Sequence, residues 1–466
     1  MKSTIDPAAP ANAAPRLPGP YLPWFGPLRA LQRNPVAMLS AGRERVGDVF
    51  TFPLLGHEIV FGCGPEAHAE VFEADESVLS PFEVYRFMTS VFGEGVVYDA
   101  GPEEMDAQIG HTRAALGSRH LGQYVRIMEA EVRAQVSRWP AEGEIDLFTE
   151  LNRMTVAIAT RCLVGEEFHR RMGGPHLPGL YHDLESGVRL ACLLSPRLPL
   201  PAFRRRDRAR ALIASAIGQV IEERRERERS GEPVNPDEGQ DMLSVLLNAR
   251  TDEGEPLPEQ IIIGLLIGLI FAGHHTSTVL ATWTGVLLSC HPEFISRLRA
   301  EQDEHWPRGA PLGTRPLHRM ELLERCVREA ERLHPPLILL LRKALKDTTL
   351  RGHRVTAGSL VLVSPAVSHR MTEVFRDPNR FDPSRYDSDR AEHRRPYSLI
   401  GFGGGKHRCI GIAFAYLQVK VAWSVLLRDV DLLPAKPHYE PDYATFLPSP
   451  VAPCTFRFRK RSQGRP

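Results

Sequence analysis

The sequence predicts a mainly α-helical protein with small β-sheets, and three patterns in the chain support this fold class. Helical periodicity runs through most of residues 104–229. An apolar stretch over residues 259–288 is long enough for one helix that the rest of the protein must surround. The β-favouring stretches are short and do not alternate with helices, which excludes a doubly wound parallel sheet.

The chain begins with an alanine- and proline-rich segment. Residues 1–26 predict a disordered leader, and residues 27–466 are expected to form a single domain. The stretches VFTFPLL and EIVFG, separated by Gly56 and His57, then predict a β-hairpin. A short β region is therefore expected before the helices.

The long apolar helix expected at 259–288 carries His274 and His275 in its middle. Paired histidines in an apolar run favour a buried helix over a membrane span. A charged helical region follows, then short strands between residues 337 and 363, and a final helix after Gly411.

Composition restricts the partners and the compartment. The 58 lysines and arginines nearly balance the 57 aspartates and glutamates, so no global field favours nucleic acid or an anionic membrane. The seven cysteines are scattered and form no Cys-x-x-Cys pair, which favours a reducing compartment over a disulfide framework. No apolar segment before residue 34 suits a signal peptide or an anchor helix. We therefore expect a cytoplasmic protein with no nucleic-acid partner and no transmembrane anchor.

The stretch FGGGKHRCIG at residues 402–411 places Cys409 in a glycine-rich loop that runs directly into a helix. The cations at 406–408 and the amides at the helix start stabilise a thiolate, the form of cysteine that binds metals. Glycines also let the backbone approach a flat ligand closely. A single loop cysteine is more commonly a structural thiol, so the spacing of its neighbours decides between the two.

Phe402, Gly405, His407, Cys409 and Gly411 together resemble the haem-binding signature of the cytochrome P-450 superfamily. The resemblance implies the haem-thiolate monooxygenase fold, with haem b as the cofactor. Cys409 is then expected to be the proximal thiolate ligand of the iron, with the other four residues shaping the loop beside the haem. Dioxygen and electrons, ultimately from NAD(P)H, are implied as co-substrates.

Glu329 and Arg332, three apart on one helix, form a second motif. Such pairs are common on solvated helices and alone indicate no function. In the cytochrome P-450 superfamily the pair meets an arginine from a downstream Phe-x-Pro-x-Arg loop, and Phe381-Asp-Pro-Ser-Arg385 stands in that place here. The resemblance implies that Glu329, Arg332 and Arg385 form a structural triad that supports the haem loop.

The third motif, Ala272-Gly-His-His-Thr276, lies in the long apolar helix. A buried threonine ordinarily bonds its own backbone, but by resemblance Thr276 and His275 are expected to deliver protons to bound dioxygen. Most members of the superfamily carry an acid where His275 stands, whereas Gly-His-His-Thr-Ser resembles the helix signature of bacterial sterol 14α-demethylases. A metal site on the two histidines is not expected, because adjacent helical residues point about 100° apart.

Two further stretches resemble the same family. YRFMTSVFGEGVVYD at residues 85–99 matches its other signature, which implies that Tyr85 reaches a haem propionate. LHPPLILLLR at residues 333–342 adds Arg342 as a second propionate partner. The residues that the resemblance implies as substrate contacts are Phe87, Met88, Phe92, Val97, Ile109, Phe271, Ala272, Leu337, Ile338, Leu339, Phe446 and Leu447.

The chain departs from these relatives at residues 105–109 and 446–450. The first stretch reads MDAQI where the family carries basic residues, one of them directed to a propionate. Either Gln108, His111 or Arg113 replaces that residue, or this side of the pocket is more open. Prolines interrupt the second stretch, where the family has an extended strand. Both departures lie among the expected substrate contacts and leave the substrate open.

The resemblance implies oxidative removal of a sterol 14α-methyl group in three O2-dependent steps. No flavin or nicotinamide domain fits beside such a domain in 466 residues, so a separate ferredoxin and ferredoxin reductase are expected to supply electrons. A monomer acting on a small apolar, sterol-like substrate is expected. Two alternatives stay open: a hydroxylase of a fatty acid, terpenoid or other secondary metabolite on the same scaffold, and a non-catalytic haem-thiolate binding or sensor protein.

Overall fold

The computed structural model describes residues 12–19, 25–173, 176–188, 192, 195–196, 198–231, 241–251, 253–445 and 447–461. The chain packs as two compact units. The first contains Met1–Val84, Leu337–Arg380 and Ser388–Cys409, and the second contains Tyr85–Pro336, Phe381–Asp387 and Ile410–Pro466.

The helices of the described residues, in chain order, are α1 (Leu28–Arg33), α2 (Pro35–Val46), α3 (Pro65–Glu73), α4 (Phe82–Tyr85), α5 (Thr89–Phe92), α6 (Pro102–Ala115), α7 (Ser118–Ser137), α8 (Leu147–Leu163), α9 (Glu166–Met172), α10 (His176–Ser186), α11 (Pro201–Ser230), α12 (Met242–Asn248), α13 (Glu259–Cys290), α14 (Pro292–His305), α15 (Thr314–Arg319), α16 (Glu321–Leu333), α17 (Pro365–Ser368) and α18 (Ile412–Asp429). The strands are β1 (Asn12–Ala13), β2 (Val49–Leu54), β3 (His57–Gly62), β4 (Leu79–Ser80), β5 (Glu142–Asp146), β6 (Leu340–Ala344), β7 (Thr348–Leu350), β8 (His353–Val355), β9 (Leu360–Val363), β10 (Val430–Pro434) and β11 (Thr455–Lys460). This inventory confirms a mainly α chain with small sheets.

The first unit is built on a five-stranded sheet with the strand order β2-β3-β9-β6-β4. Strands β2 and β3 form the hairpin that the sequence predicts, and Leu55 and Gly56 at its turn both have positive φ, the geometry that suits a tight two-residue connection. Strand β3 pairs in parallel with β9, and β6 runs antiparallel to β9. Arg342 is therefore held on an internal strand of this sheet.

Part of the expected disordered leader is ordered. Residues 12–19 include strand β1, which pairs in parallel with β8, and Leu17, whose backbone N–H donates to Thr51 O at 2.8 Å. Leu17 is also buried. Alanine and proline content does not reveal such order, because it depends on backbone pairing with strands far along the chain.

The second unit is helical around α13, which confirms the long helix expected from residue 259 onward. Every side chain from Ser277 to Gly285 is buried. A Cβ on Gly285 would lie 2.2 Å from the Trp423 ring, so this glycine lets α13 approach α18 closely. A small antiparallel sheet with the order β10-β11-β5 completes the unit.

Two segments have the length and hydropathy of a membrane span, α13 and the segment Gly405–Asp429 that contains α18. In the most apolar 18 residues of each segment, 50% and 61% respectively are buried inside the protein. Core helices of soluble proteins have the same composition. Length and hydropathy alone therefore assign neither segment to a membrane.

Candidate active site

The Cys409 loop belongs to the first unit and is shaped by its glycines. Gly403 and Gly405 have φ of +70° and +62°, a region that side chains with a Cβ rarely adopt. A Cβ on Gly405 would also lie 2.0 Å from Phe72 O. The Cys409 N–H donates to Phe402 O at 3.0 Å, which closes the loop and leaves the Cys409 residue exposed.

Two basic side chains of this loop contact Glu76, a residue that the sequence analysis missed because it belongs to no motif. Its Oε1 lies 2.7 Å from His407 Nε2 and 3.1 Å from Lys406 Nζ. Burial lowers the pKa of His407, while the Glu76 carboxylate opposes that shift. His407 is thus anchored within the first unit.

Arg342 also lies in the first unit, on β6, with its side chain buried. Its guanidinium stands 5.5 Å from the Phe72 ring centroid, and its Nη1 donates to Leu341 O at 2.8 Å. Of the expected substrate contacts just before β6, Leu337 is exposed, Leu339 half-buried and Ile338 buried.

The three residues of the expected triad form one ion-pair cluster in the second unit. Glu329 Oε2 accepts from Arg332 Nε at 2.8 Å, and Glu329 Oε1 accepts from Arg385 Nε at 2.9 Å. All three side chains are fully buried, so the two ion pairs compensate charges that water does not reach. Tyr386 Oη donates to Glu329 as well, at 3.3 Å, a partner that the sequence did not indicate.

On α13, Thr276 Oγ1 donates to Ala272 O at 2.6 Å, a bond to the backbone of its own helix. Beside it, the two histidines share a carboxylate on α10. Glu185 Oε2 lies 2.7 Å from His275 Nδ1, and Glu185 Oε1 lies 3.0 Å from His274 Nε2. Burial raises the pKa of Glu185, but hydrogen bonds and charge from the two histidines outweigh it and lower the pKa to about 2.

Glu185 was missed by sequence reasoning. It stands in an ordinary amphipathic helix with no recognisable spacing to α13, and only the packing of α10 places it there. The result is a half-buried, ionised carboxylate next to His275, at the helix position where a proton route is expected.

Aromatic residues from two distant segments meet in the second unit. The Phe92 ring lies 6.2 Å from Phe271 in an edge-on arrangement and 6.4 Å from Tyr98. Tyr85 lies 5.3 Å from Tyr98 and 6.4 Å from Phe87. Residues of the 85–99 stretch and of α13 that the sequence links to substrate are thus brought together.

The remaining expected site residues divide as follows. Met88 is buried, whereas Val97, Ile109 and Leu447 are half-buried. Gly411 lies at the N-terminus of α18. Phe446 lies outside the described residues.

Gln108 does not serve as the replacement propionate partner. Its Oε1 accepts from Val97 N and its Nε2 donates to Gly95 O, both at 2.8 Å, so the amide is already engaged by backbone within the second unit. His111, Arg113 and a more open pocket stay as the alternatives that the sequence offers for this position.

The donor set fits a haem-thiolate. Among the residues that the structure describes, no group of three His, Cys, Asp or Glu side chains could hold a metal ion by itself. An exposed single thiol such as Cys409 suits a metal whose other ligands belong to an organic ring. Cys409 is exposed, and the glycines that precede it have no side chains to obstruct a flat macrocycle.

The comparisons with known proteins agree with this donor set. The family model described as Cytochrome P450 matches residues 15–449. A sterol 14α-demethylase of Mycolicibacterium vanbaalenii is 36% identical over 94% of this chain and 96% of its own length, and a sterol 14-demethylase of Arabidopsis thaliana is 36% identical over 96% and 92%. The cyanobacterial CYP120A1 with bound retinoic acid superposes with a TM-score of 0.83 at 25% identity, covering 97% of this chain and all of that one. The resemblance to bacterial sterol 14α-demethylases is confirmed, and the chain belongs to the cytochrome P450 family.

Proposed function

We propose that this monooxygenase is a sterol 14α-demethylase that removes a sterol 14α-methyl group as formate in three O2-dependent steps. The observation that carries the proposal is the identity of more than a third with sterol demethylases of a bacterium and a plant along nearly the whole chain. Residues 27–466 would act as one catalytic domain. Phe87 stands where, by resemblance, the family distinguishes sterols by their methylation at carbon four. It favours a substrate with one methyl group at that carbon.

Haem b is the proposed cofactor, with Cys409 as the thiolate ligand and Arg342, His407 and Tyr85 as propionate partners. When bound, the haem supplies the reductive activation of dioxygen. The protein holds Cys409 on a loop whose shape depends on Gly403 and Gly405. The Glu329 cluster ties α16 to the turn at 383–386 within the second unit.

Proton delivery is the proposed task of Thr276 and His275, with Glu185 behind them. The hydroxyl of Thr276 already donates to Ala272 O and can turn to a substrate oxygen without leaving the helix. The Glu185 carboxylate lies 2.7 Å from His275 Nδ1, and Nε2 on the other side of the imidazole would carry the proton onward. Most members of the superfamily carry an acidic residue on the helix that corresponds to α13. Here Glu185 on α10 would take its place.

A second candidate is hydroxylation of an apolar, non-sterol molecule such as a terpenoid or fatty acid. The relative with bound retinoic acid has the same fold and favours this reading. The aromatic residues around Phe92 offer apolar contact to either class.

Electrons would come from a ferredoxin and its reductase, and the protein would work as a cytoplasmic monomer. Lys406 and Arg408, both exposed beside Cys409, are proposed contacts for an acidic carrier.

An optical titration of the purified haem protein tests the substrate class. Lanosterol, its C4-monomethylated relatives, retinoic acid and a medium-chain fatty acid would be added separately while the spin state of the haem is followed. A saturable low- to high-spin shift with a sterol alone, followed by formate release on turnover, supports the demethylase. A shift with retinoic acid or the fatty acid and none with any sterol contradicts it and favours the hydroxylase.

A further inference from the structure

We propose that Gln108 is a positioning residue that holds Val97 in a left-handed backbone conformation and so determines which ligands the 95–99 turn accepts. The inference rests on the proposed function in one respect, since it takes Val97 as a ligand contact. It assigns to Gln108 a role different from binding a propionate.

Val97 has an unusual backbone. Its φ is +50°, in the region that favours glycine, and a branched Cβ makes this conformation especially unfavourable. Such a residue persists only when its surroundings enforce the conformation, and strained residues of this kind concentrate at functional sites. Val97 opens a short helical turn that ends at Asp99, inside the stretch of expected substrate contacts.

The preceding residues explain why the strain falls on Val97. Val96 is buried against α13, where a Cβ on Gly264 would lie 2.5 Å from Val96 Cγ2. Gly95 on its other side has φ of +70°, which costs glycine nothing. The backbone thus has positive φ on both sides of the buried Val96. Gly95 adopts this conformation easily, whereas Val97 has a branched side chain.

Gln108 satisfies this turn from α6 with both ends of its amide. Oε1 accepts the N–H of Val97 and Nε2 donates to the carbonyl of Gly95, each at 2.8 Å. The Gln108 side chain is buried, so water does not readily replace either bond. Asp99 adds a third tie, because its Oδ2 accepts the Gly95 N–H at 2.9 Å.

The chemistry of the amide is specific to this task. Leucine at 108 would fill a similar volume but leave a buried N–H and a buried carbonyl without these partners. Glutamate would keep the acceptor for Val97 N and lose the donor to Gly95 O. Glycine at 97 would adopt the same backbone without strain, and the turn would then need Gln108 far less.

The test is a double-mutant cycle on the full-length haem protein with Gln108→Leu, Val97→Gly and the two combined. Two iron ligands serve as probes: imidazole, which is small, and 4-phenylimidazole, whose ring extends further from the iron. We expect Gln108→Leu to weaken 4-phenylimidazole about tenfold and imidazole by less than about twofold. In the Val97→Gly background the loss of 4-phenylimidazole affinity caused by Gln108→Leu should shrink to less than about threefold.

Two controls keep the outcome interpretable. Gln302→Leu removes another buried amide, which donates to Ser424 O on a different part of the unit, and should leave the ratio of the two affinities unchanged. Gln108→Glu, which keeps one of the two bonds, should fall between the wild type and Gln108→Leu and provides a reading if the leucine variant fails to fold.

An equal loss for both probes, or the same loss from Gln108→Leu in both backgrounds, overturns the proposal. Lanosterol binding is measured separately on the wild type. Its absence would sink the sterol assignment, whereas the cycle with the imidazoles decides the role of Gln108 alone.

Discussion

The cysteines of this chain differ in burial, which changes how readily each thiol ionises. Burial raises the pKa of Cys63 to about 11 and that of Cys454 to about 12, and it also raises the pKa of Cys162 and Cys326. These thiols stay protonated near neutral pH, and a protonated thiol is a poor metal ligand. Cys409 lies in an exposed, glycine-shaped loop instead.

Replacing Cys409 by alanine is expected to abolish monooxygenase turnover and the red-shifted Soret band of the reduced CO complex, because both require the thiolate ligand. Absorption spectroscopy of the reduced, CO-treated protein checks this. Cys290→Ala is the matched control, since Cys290 is also exposed but stands at the end of α13. A wild-type spectrum for the Cys409 variant would contradict the assignment.

The Glu329 cluster makes a prediction about stability. Glu329→Gln removes the charge of the buried carboxylate that Arg332 and Arg385 share, and it should lower the free energy of unfolding by about 3–5 kcal/mol. Urea unfolding measures the change. On the same helix, Glu321→Gln removes only an exposed pair with Arg325 and should change stability by less than about 1 kcal/mol. Equal effects of the two variants would show that burial of the cluster is not decisive.

Pairs of elements determine the site at the next scale. Helix α10 brings Glu185 to the histidines of α13, and α5 packs its Phe92 against the same helix. Neither helix carries a sequence signal for its partner. The glycines of α13 allow α5 to pack closely against it, because a Cβ on Gly264 or Gly268 would contact Phe92.

Glu185→Gln should lower turnover and raise the fraction of oxygen consumed without product, because His274 and His275 lose the carboxylate beside them. Ionised Glu185 has a pKa of about 2 in the fold against an ordinary value of 4.5, which corresponds to stabilisation on the order of 3 kcal/mol. That stability is fully present above about pH 4.5 and is lost as the pH falls through 2. The gap in unfolding free energy between wild type and variant should therefore narrow in acid.

The control for this prediction is Asp183→Asn, on the same helix, which removes a more exposed contact with Arg205. It should change neither the coupling of oxygen to product nor the pH dependence of stability. A pH-independent gap for Glu185→Gln would show that the carboxylate is not held ionised by the histidines.

Gly264→Ala should separate α5 from α13. The new Cβ would lie 2.5 Å from Phe92 O, so the variant should lose about 1–3 kcal/mol of unfolding free energy. Gly273→Ala on the same helix meets nothing within 4 Å and should gain up to about 1 kcal/mol from helix propensity. Denaturant unfolding measures both, and a stabilising Gly264→Ala would refute the close approach.

At the scale of the whole molecule, the net charge bears on how a redox partner is attracted. The chain has a formal net charge of +1, so any steering of a redox partner must come from local groups such as Lys406 and Arg408. We expect the haem protein with NADPH alone to show no turnover, and addition of a ferredoxin and its reductase to restore it. The restored rate should fall as ionic strength rises. Turnover with NADPH alone would contradict the need for separate carriers.

The sequence by itself determined the elements and motifs whose signals are local. The β2–β3 hairpin follows from two β-favouring stretches on either side of Gly56, and α13 follows from a long apolar stretch interrupted by two histidines. Cys409 could be singled out because its glycines and cations are neighbours in the chain. Each of these depends on residues within a few turns or strand positions of one another.

The tertiary structure alone decided the contacts between residues far apart in the chain. Glu185 beside His275, Glu76 beside His407 and the amide of Gln108 beneath Val97 carry no spacing that a sequence pattern could reveal. The pairing of β1 with β8 and the hydrogen bond from Leu17 to Thr51 likewise join residues that are distant in the chain. Such contacts are selected by which faces pack together when apolar surface is buried, and a polar side chain acquires its partner only once that packing exists.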